Sequence, residues 1–224
     1  MKKRILVSWS SGKDSAWTLH RVRQDDRYEI AGLLTTINRE ADRVAMHAVR
    51  AELLRKQAEA ADLPLWSAFI PSPCSNEQYA AVMRDVIDRA ERERIECIAF
   101  GDLFLEDVRV YRETQLAPTR VAPLFPLWGQ DTGALVREML AGGLRARITC
   151  VDPRLLPAQL AGRELDEQLL AEFPQSVDPC GERGEFHTFA YAGPMFRNPI
   201  AIENGVVVER DGFVFADLIP IRAA

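Results

Sequence analysis

Short apolar runs alternate with longer amphipathic stretches through the first half of this chain of 224 residues. The apolar runs predict buried strands, and the stretches between them carry apolar side chains at helical spacing. The predicted strands are residues 5–9, 30–36, 65–70 and 95–100, and the predicted helices are 13–24, 44–61 and 76–94. Strands joined by helices of this length run parallel. The pattern therefore predicts an α/β fold with a doubly wound parallel sheet over the first 110 residues or so.

The second half of the chain has a different pattern. A helix is predicted over residues 131–140 and a strand over 144–151, followed by short helical turns. Four strand-like runs then follow, with turn signals that include Asn204-Gly205 and Asp211-Gly212; the runs are residues 186–191, 200–202, 206–209 and 213–219. This half predicts a smaller α+β domain. We place the expected boundary between residues 1–120 and residues 121–224.

Charge and cysteine content limit the class of function. Lysine and arginine total 28 against 33 acidic residues, and the whole excess of −5 lies in residues 121–224, which contain no lysine. A chain that wraps nucleic acid needs surplus cations, so the composition argues against a nucleic-acid partner. The four cysteines are dispersed, and no apolar run approaches the length of a membrane span. We expect a cytoplasmic protein with no membrane partner.

The turn after the first predicted strand reads Ser-Ser-Gly-Lys-Asp-Ser over residues 10–15. Ligands of doubly wound sheets bind at the carboxyl ends of the strands, where a following helix presents unpaired N–H groups. Small residues, two hydroxyl groups and the Lys13 ammonium therefore predict a cradle for phosphate. The turn is not a Walker A loop, because Val7 and Asp14 replace its glycine and hydroxyl residue. The alternative is a Ser or Asp cap on a structural helix.

Several motifs resemble one enzyme family. Residues 10–15 resemble the SGGxDS loop of the PP-loop, or N-type, ATP pyrophosphatases, with Ser11 where that family usually has glycine. Further motifs are Leu-Thr-Thr-Ile-Asn at 34–38, Gly-Asp-Leu at 101–103 and Gly-Glu-Arg-Gly-Glu-Phe-His-Thr at 181–188. Together they resemble the diphthine–ammonia ligase family, also described as adenine nucleotide alpha hydrolases, and more closely its bacterial branch. The resemblance covers residues 5 to about 196.

The resemblance implies a HUP-type, Rossmann-like ATP-binding domain over residues 1–120 and a family-specific substrate domain over residues 121–224. It also implies a ligase that adenylates a carboxylate with ATP and Mg²⁺, releases pyrophosphate and forms an amide with ammonia or an ammonia donor. The carboxylate would be diphthine-like or another acyl group. The alternatives are a PP-loop nucleotide hydrolase with another substrate, an RNA-modifying enzyme and a non-catalytic ATP- or AMP-binding regulator. The sequence leaves open whether the chain forms a homodimer.

The expected site residues follow from these motifs. ATP is expected on Ser10, Ser11, Gly12, Lys13, Asp14, Ser15, Thr35, Gly101 and Asp102. Mg²⁺ is expected on Asp14 and Asp102, and catalysis on Lys13, Glu182, Glu185 and His187. Glu185 and His187 would share one strand face toward the acyl-adenylate.

Each role has a structural alternative. Asp14 could cap the helix, Thr35 could be an ordinary strand residue, and Asp102 could be a turn residue. Residues 182–187 could form a solvated turn with a salt bridge. His47 is left open, and Cys180 is expected to be structural.

Overall fold

Two β-sheets organise the chain in a computed structural model, which describes residues 2–40, 43–44 and 49–221. The first sheet has six strands: β1 (Lys3–Ser8), β2 (Tyr28–Asn38), β3 (Arg43–Val44), β4 (Leu65–Ile70), β5 (Cys97–Ala99) and β6 (Ala122–Leu124). Five of them run parallel in the order β4-β2-β1-β5-β6, and β3 adds a short antiparallel pair at the end of β2. The predicted Rossmann-like α/β class is confirmed.

Helices connect these parallel strands. They are α1 (Lys13–Arg23), α2 (Ala51–Ala61), α3 (Asn76–Arg92) and α4 (Glu106–Leu116). The central strand β1 buries Ile5, Leu6 and Val7 completely, as a strand with helices on both faces must. Two apolar clusters result, one on each face of the sheet. Among the described residues, none of the helices has both the length and the apolar character to cross a bilayer.

The second sheet is antiparallel, in the order β8-β7-β10-β9. Its strands are β7 (Arg145–Val151), β8 (Phe186–Ala192), β9 (Ile202–Arg210) and β10 (Phe213–Pro220), and α5 (Thr132–Ala141) and α6 (Glu167–Glu172) accompany them. This is the small α+β unit that the sequence predicts. One apolar cluster runs through both halves, with Leu19 of α1 and Phe189 of β8 among its members.

Three local predictions are wrong. The helix predicted from residue 44 begins only at Ala51, because Arg43 and Val44 pair with β2 as a strand. Strand β6, of three residues, was not predicted, since its sequence Ala-Pro-Leu carries little strand signal. Asn204-Gly205 is not a turn but part of β9, which pairs with β10 on both sides of it although the register shifts between Ala216 and Leu218. His47 lies outside the described residues.

Candidate active site

The loop of residues 10–15 joins β1 to α1 at the carboxyl edge of the parallel sheet. Helix α1 begins at Lys13, and its N-cap residue, Gly12, has no side chain that could cap it. Asp14 lies in the first turn of the helix, past the N-cap position, and its carboxylate pairs with Lys13. Ser10 and Ser15 lie with their hydroxyl oxygens 3.2 Å apart, and Ser15 donates to the Gly12 carbonyl at 3.0 Å. The loop thus keeps small residues and hydroxyl groups around a helix N-terminus, where an anion is stabilised.

Ser11 has the left-handed backbone conformation that glycine usually occupies. Its φ is 71°, a region that costs a residue with a Cβ atom free energy. The side chain is fully buried, and within the described part of the chain its Oγ has no hydrogen-bond partner. The conformation persists because the surrounding structure fixes it: the Ser11 carbonyl accepts hydrogen bonds from the Ala190 N–H and from Gln57 Nε2, both at 2.9 Å.

The second half of the chain packs directly onto the phosphate loop. The Lys13 backbone N–H donates to Thr188 Oγ1 of β8 at 3.1 Å. A Cβ atom on Gly12 would approach the Thr188 carbonyl oxygen to 3.2 Å, so glycine permits this close contact. Gln57 of α2 links both halves: it accepts from the Trp9 indole at 2.9 Å and donates to Ser11 and Ala190 carbonyls. The loop is held from three sides.

Gly101 and Asp102 follow β5, beside β1 in the sheet. A Cβ atom on Gly101 would lie 3.1 Å from the Asp14 carbonyl carbon, so glycine lets the first turn of α1 approach this strand end. The Asp102 carboxylate lies 3.6 Å from Nε of Arg112, and its Oδ2 is buried and accepts no hydrogen bond from the residues described. Burial raises the pKa of Asp102, although Arg112 opposes the rise.

Lys13 and Asp14 form a buried ion pair, with 2.8 Å between Nζ and Oδ2. Lys13 also donates to the Cys180 carbonyl. Burial lowers the pKa of Lys13, but Asp14, Cys180 and Glu182 together outweigh burial and leave that pKa above its usual value. Burial raises the pKa of Asp14, and its Oδ1 has no hydrogen-bond partner in the described part of the chain. Lys13 is thus a buried cation at the helix end that the predicted phosphates would contact.

Glu182 faces the same cavity from the second half of the chain. Its Oε1 accepts the Leu103 N–H at 2.7 Å, and its own N–H donates to the Asp178 carboxylate at 2.8 Å. Burial raises the pKa of Glu182 to about 7, and the charges of Asp14 and Asp102 add to the rise. A carboxyl group with a pKa near neutrality is suited to general acid–base catalysis.

Glu185 and His187 do not both face the cavity. Glu185 is buried, and its two oxygens accept the backbone N–H groups of Asp178 and Arg183, both at 2.9 Å. It precedes β8 and does not line the cavity, whereas His187, the second residue of β8, does. Burial lowers the pKa of His187 to about 4, and Lys13 adds to this effect. At neutral pH His187 is therefore a neutral imidazole, able to accept or donate one hydrogen bond.

Cys180 lines the cavity but is poorly suited to act as a nucleophile. Its Sγ lies 3.4 Å from the Thr132 carbonyl oxygen, and burial raises its thiol pKa to about 12. A thiol with so high a pKa contains almost no thiolate at neutral pH.

Two cavities meet at this edge of the sheet. The smaller, of about 230 Å³, is lined by the phosphate loop, Asp102, Glu182 and His187. The larger, of about 770 Å³, is mainly apolar and extends between α3 and α4, with Thr35 and Thr36 of β2 on its wall. Thr35 Oγ1 is buried, and no described residue hydrogen-bonds to it. The two cavities share lining residues, so a polar chamber lies beside a larger apolar one, an arrangement that suits the phosphates and the nucleoside of a nucleotide.

Three residues of this site were not predicted from the sequence: Gln57, Arg112 and Thr188. Gln57 and Thr188 hold the phosphate loop, and Arg112 lines both cavities. Thr188 could have been identified because it is the last residue of the 181–188 motif. Gln57 gives a weaker indication, as a polar residue on the otherwise apolar face of α2.

Comparisons with known proteins match both halves of the chain. Residues 1–115 match the family described as diphthamide synthase N-terminal domain, and residues 131–216 match the diphthamide synthase C-terminal domain. The relatives include proteins named diphthine–ammonia ligase. The human one is 31% identical over 137 residues, which is 59% of this chain and 51% of that protein. The rat one is 26% identical over 240 residues, covering 98% and 90%.

The zebrafish protein of the same name is 29% identical over 174 residues, which is 71% of this chain and 68% of that protein. The chain spans about half the length of the human relative it matches. With a family match over each of the two halves that together build the phosphate loop and its cavity, the chain belongs to the diphthamide synthase family.

Proposed function

We propose that this chain is an ATP-dependent ligase that adenylates a carboxylate, releases pyrophosphate and forms an amide with ammonia. The observation that carries the proposal is the adjacency of the two cavities: they share lining residues, and the polar one is lined by Lys13, Asp14, Asp102 and Glu182. The human and rat relatives are named diphthine–ammonia ligases, which favours a diphthine-like carboxylate as the substrate. The net charge of −5 in residues 121–224 suits an acyl substrate that carries a positive charge.

The first step transfers an adenylyl group. A carboxylate oxygen of the substrate attacks the α-phosphorus of ATP, the bond from this phosphorus to the bridging oxygen breaks, and pyrophosphate leaves. The Lys13 ammonium and the positive end of the α1 dipole stabilise the charge on the departing phosphates. Ser10, Gly12 and Ser15 shape the loop around them.

The second step forms the amide. Ammonia attacks the acyl carbon, the bond from that carbon to the phosphate oxygen breaks, AMP leaves and the new nitrogen loses a proton. Glu182, with a pKa of about 7, is the group placed to accept that proton. We assign His187 to orienting the acyl group through a hydrogen bond of its neutral ring. Glu185 holds the loop from Asp178 to Arg183 in place, so we assign it a positioning role.

Mg²⁺ fits this site at Asp14 and Asp102. Each carboxylate has a buried oxygen that accepts no hydrogen bond from the described residues, and each has a raised pKa, as expected for carboxylates that await a cation. Within the described residues no group of three or more His, Cys, Asp or Glu side chains could hold a metal ion alone. Mg²⁺ typically binds one or two carboxylates together with substrate phosphates, whose charge it neutralises.

An assay for AMP tests the proposal. The protein is incubated with ATP labelled at the α-phosphate, Mg²⁺ and ammonium, with and without a cell extract that supplies acyl substrates. We expect AMP and pyrophosphate in equal amounts, dependent on the extract and on ammonium. Lys13→Met should lower the rate at least about 100-fold, because it removes the buried cation from the phosphate site. Lys56→Met, on α2, is the matched control.

Other outcomes would identify the alternatives. ATP binding without AMP formation in any extract would contradict a ligase and favour a nucleotide-binding regulator. Loss of extract-dependent turnover after ribonuclease treatment would instead indicate an RNA substrate. Formation of ADP rather than AMP would contradict the proposed chemistry, because it requires cleavage at a different phosphate.

A further inference from the structure

Arg112 of α4 lies at the boundary between the two cavities. Four residues line both of them: Ser8, Ser10, Phe100 and Arg112. Of these four, only Arg112 carries a positive charge. It belongs to α4, the helix that follows β5, and not to the phosphate loop. Neither the family motifs nor the sequence pattern points to it.

The guanidinium group of Arg112 has neighbours that hold it in place, but its Nε makes no hydrogen bond to a described residue. Its Cζ lies 4.9 Å from the centroid of the Phe100 ring, a cation–π contact that helps to hold the group in place. Its Nε is 3.6 Å from Asp102 Oδ2, which is too long for a hydrogen bond. Among the described residues, neither this buried Nε nor this buried oxygen has a hydrogen-bond partner. A buried N–H without an acceptor requires an explanation, and at the boundary between two cavities a bound ligand provides one.

The nucleotide would place one particular group at this boundary. With the nucleoside in the apolar cavity and the terminal phosphates at the loop, the α-phosphate must lie where the two cavities join. This is also the phosphorus at which charge rearranges during adenylyl transfer. A guanidinium fork matches two oxygens of one phosphate better than an ammonium group does.

We propose that Arg112 is a catalytic residue that binds the α-phosphate and stabilises its charge during adenylyl transfer. The assignment rests on the nucleotide site proposed above. Without a ligand, Asp102 is the nearest acidic partner of Arg112. When the α-phosphate binds the guanidinium in its place, the Asp102 carboxylate becomes available to a metal ion.

Binding measurements with fragments of ATP test the assignment. Calorimetry on the full chain compares adenosine, AMP and pyrophosphate for the wild type, Arg112→Met and Arg112→Lys. Arg112→Met should weaken AMP binding about 10- to 100-fold and leave adenosine and pyrophosphate binding unchanged, since only AMP among them carries an α-phosphate. Arg112→Lys, which keeps the charge but loses the fork, should weaken AMP binding less.

Arg109→Met is the matched control. Arg109 lies three residues earlier in α4, pairs with Glu113 at 2.8 Å and stacks between Phe125 and Trp128, outside both cavities. We expect it to bind all three ligands as the wild type does.

Three results would overturn the assignment. Equal losses of adenosine and AMP binding in both Arg112 variants would show a structural role, and weaker pyrophosphate binding with unchanged AMP binding would place the guanidinium on the leaving group. If the wild type binds none of the three ligands, the nucleotide site itself is wrong. Because adenosine binding to the wild type reports the site independently of Arg112, failure of the assignment and failure of the proposed function are distinguishable.

Discussion

Replacing Glu182 with glutamine should change how the stability of the protein depends on pH. The folded protein raises the pKa of this carboxyl group from its ordinary 4.5 to about 7. Between these two values the unfolded chain has lost the proton while the folded chain still holds it. The wild type therefore loses stability as the pH rises from about 4.5 to about 7. Glu182→Gln cannot titrate, and its amide oxygen can still accept the Leu103 N–H.

The size of the effect follows from the pKa difference. Each pKa unit corresponds to about 1.4 kcal/mol, so the full rise amounts to about 3 kcal/mol. Part of the titration of the unfolded chain is already complete at pH 5. We therefore expect the stability of Glu182→Gln, relative to the wild type, to increase by about 2 kcal/mol between pH 5 and pH 8.

Urea denaturation of both proteins at pH 5, 6, 7 and 8 measures this difference. His187 acts in the opposite direction, because its folded pKa of about 4 is below the ordinary 6.5 and its contribution grows as the pH rises through that range. The comparison at each pH removes this contribution, since both proteins contain His187. A stability difference that stays constant from pH 5 to pH 8 would refute the reasoning and show that Glu182 titrates normally.

Two further substitutions test how the phosphate loop is held. Ser11→Gly should raise the free energy of unfolding by about 1 kcal/mol, because it relieves the φ of 71° and removes a buried hydroxyl that lacks a partner; a lower melting temperature would contradict this. Gln57→Met should destabilise the chain by about 2–4 kcal/mol and weaken ATP binding, since it leaves the Trp9 indole N–H and the Ala190 carbonyl without their buried partner. Unchanged ATP affinity in a folded Gln57→Met variant would show that the loop keeps its shape without this residue.

The phosphate loop could be predicted from sequence because its determinants are local. A strand, a turn of small residues and a helix start follow one another within residues 5–15. Thr35 and Asp102 could be placed for a related reason: the carboxyl ends of parallel strands meet at one edge of the sheet. These arguments need only the order of the elements along the chain.

Contacts between the two halves could not be predicted in this way. The hydrogen bond from Lys13 to Thr188 joins residues 175 positions apart, and its existence depends on how β8 docks on α1. With β8 docked in this way, the Glu185 carboxylate accepts a hydrogen bond from the Asp178 N–H, while His187 lines the cavity. Strand alternation predicted one shared face for the pair, but Glu185 precedes the strand, so alternation does not apply to it.

The attachment of β8 to the phosphate loop also limits how this protein can diverge. Thr188 and Ala190 hold the loop through hydrogen bonds, while the neighbouring His187 lines the smaller cavity. A substitution that moves this strand to reshape the cavity therefore also moves the backbone that fixes Lys13. Under the proposed function, acyl selectivity and nucleotide binding are coupled through one strand, so a change in one requires compensating changes in the other.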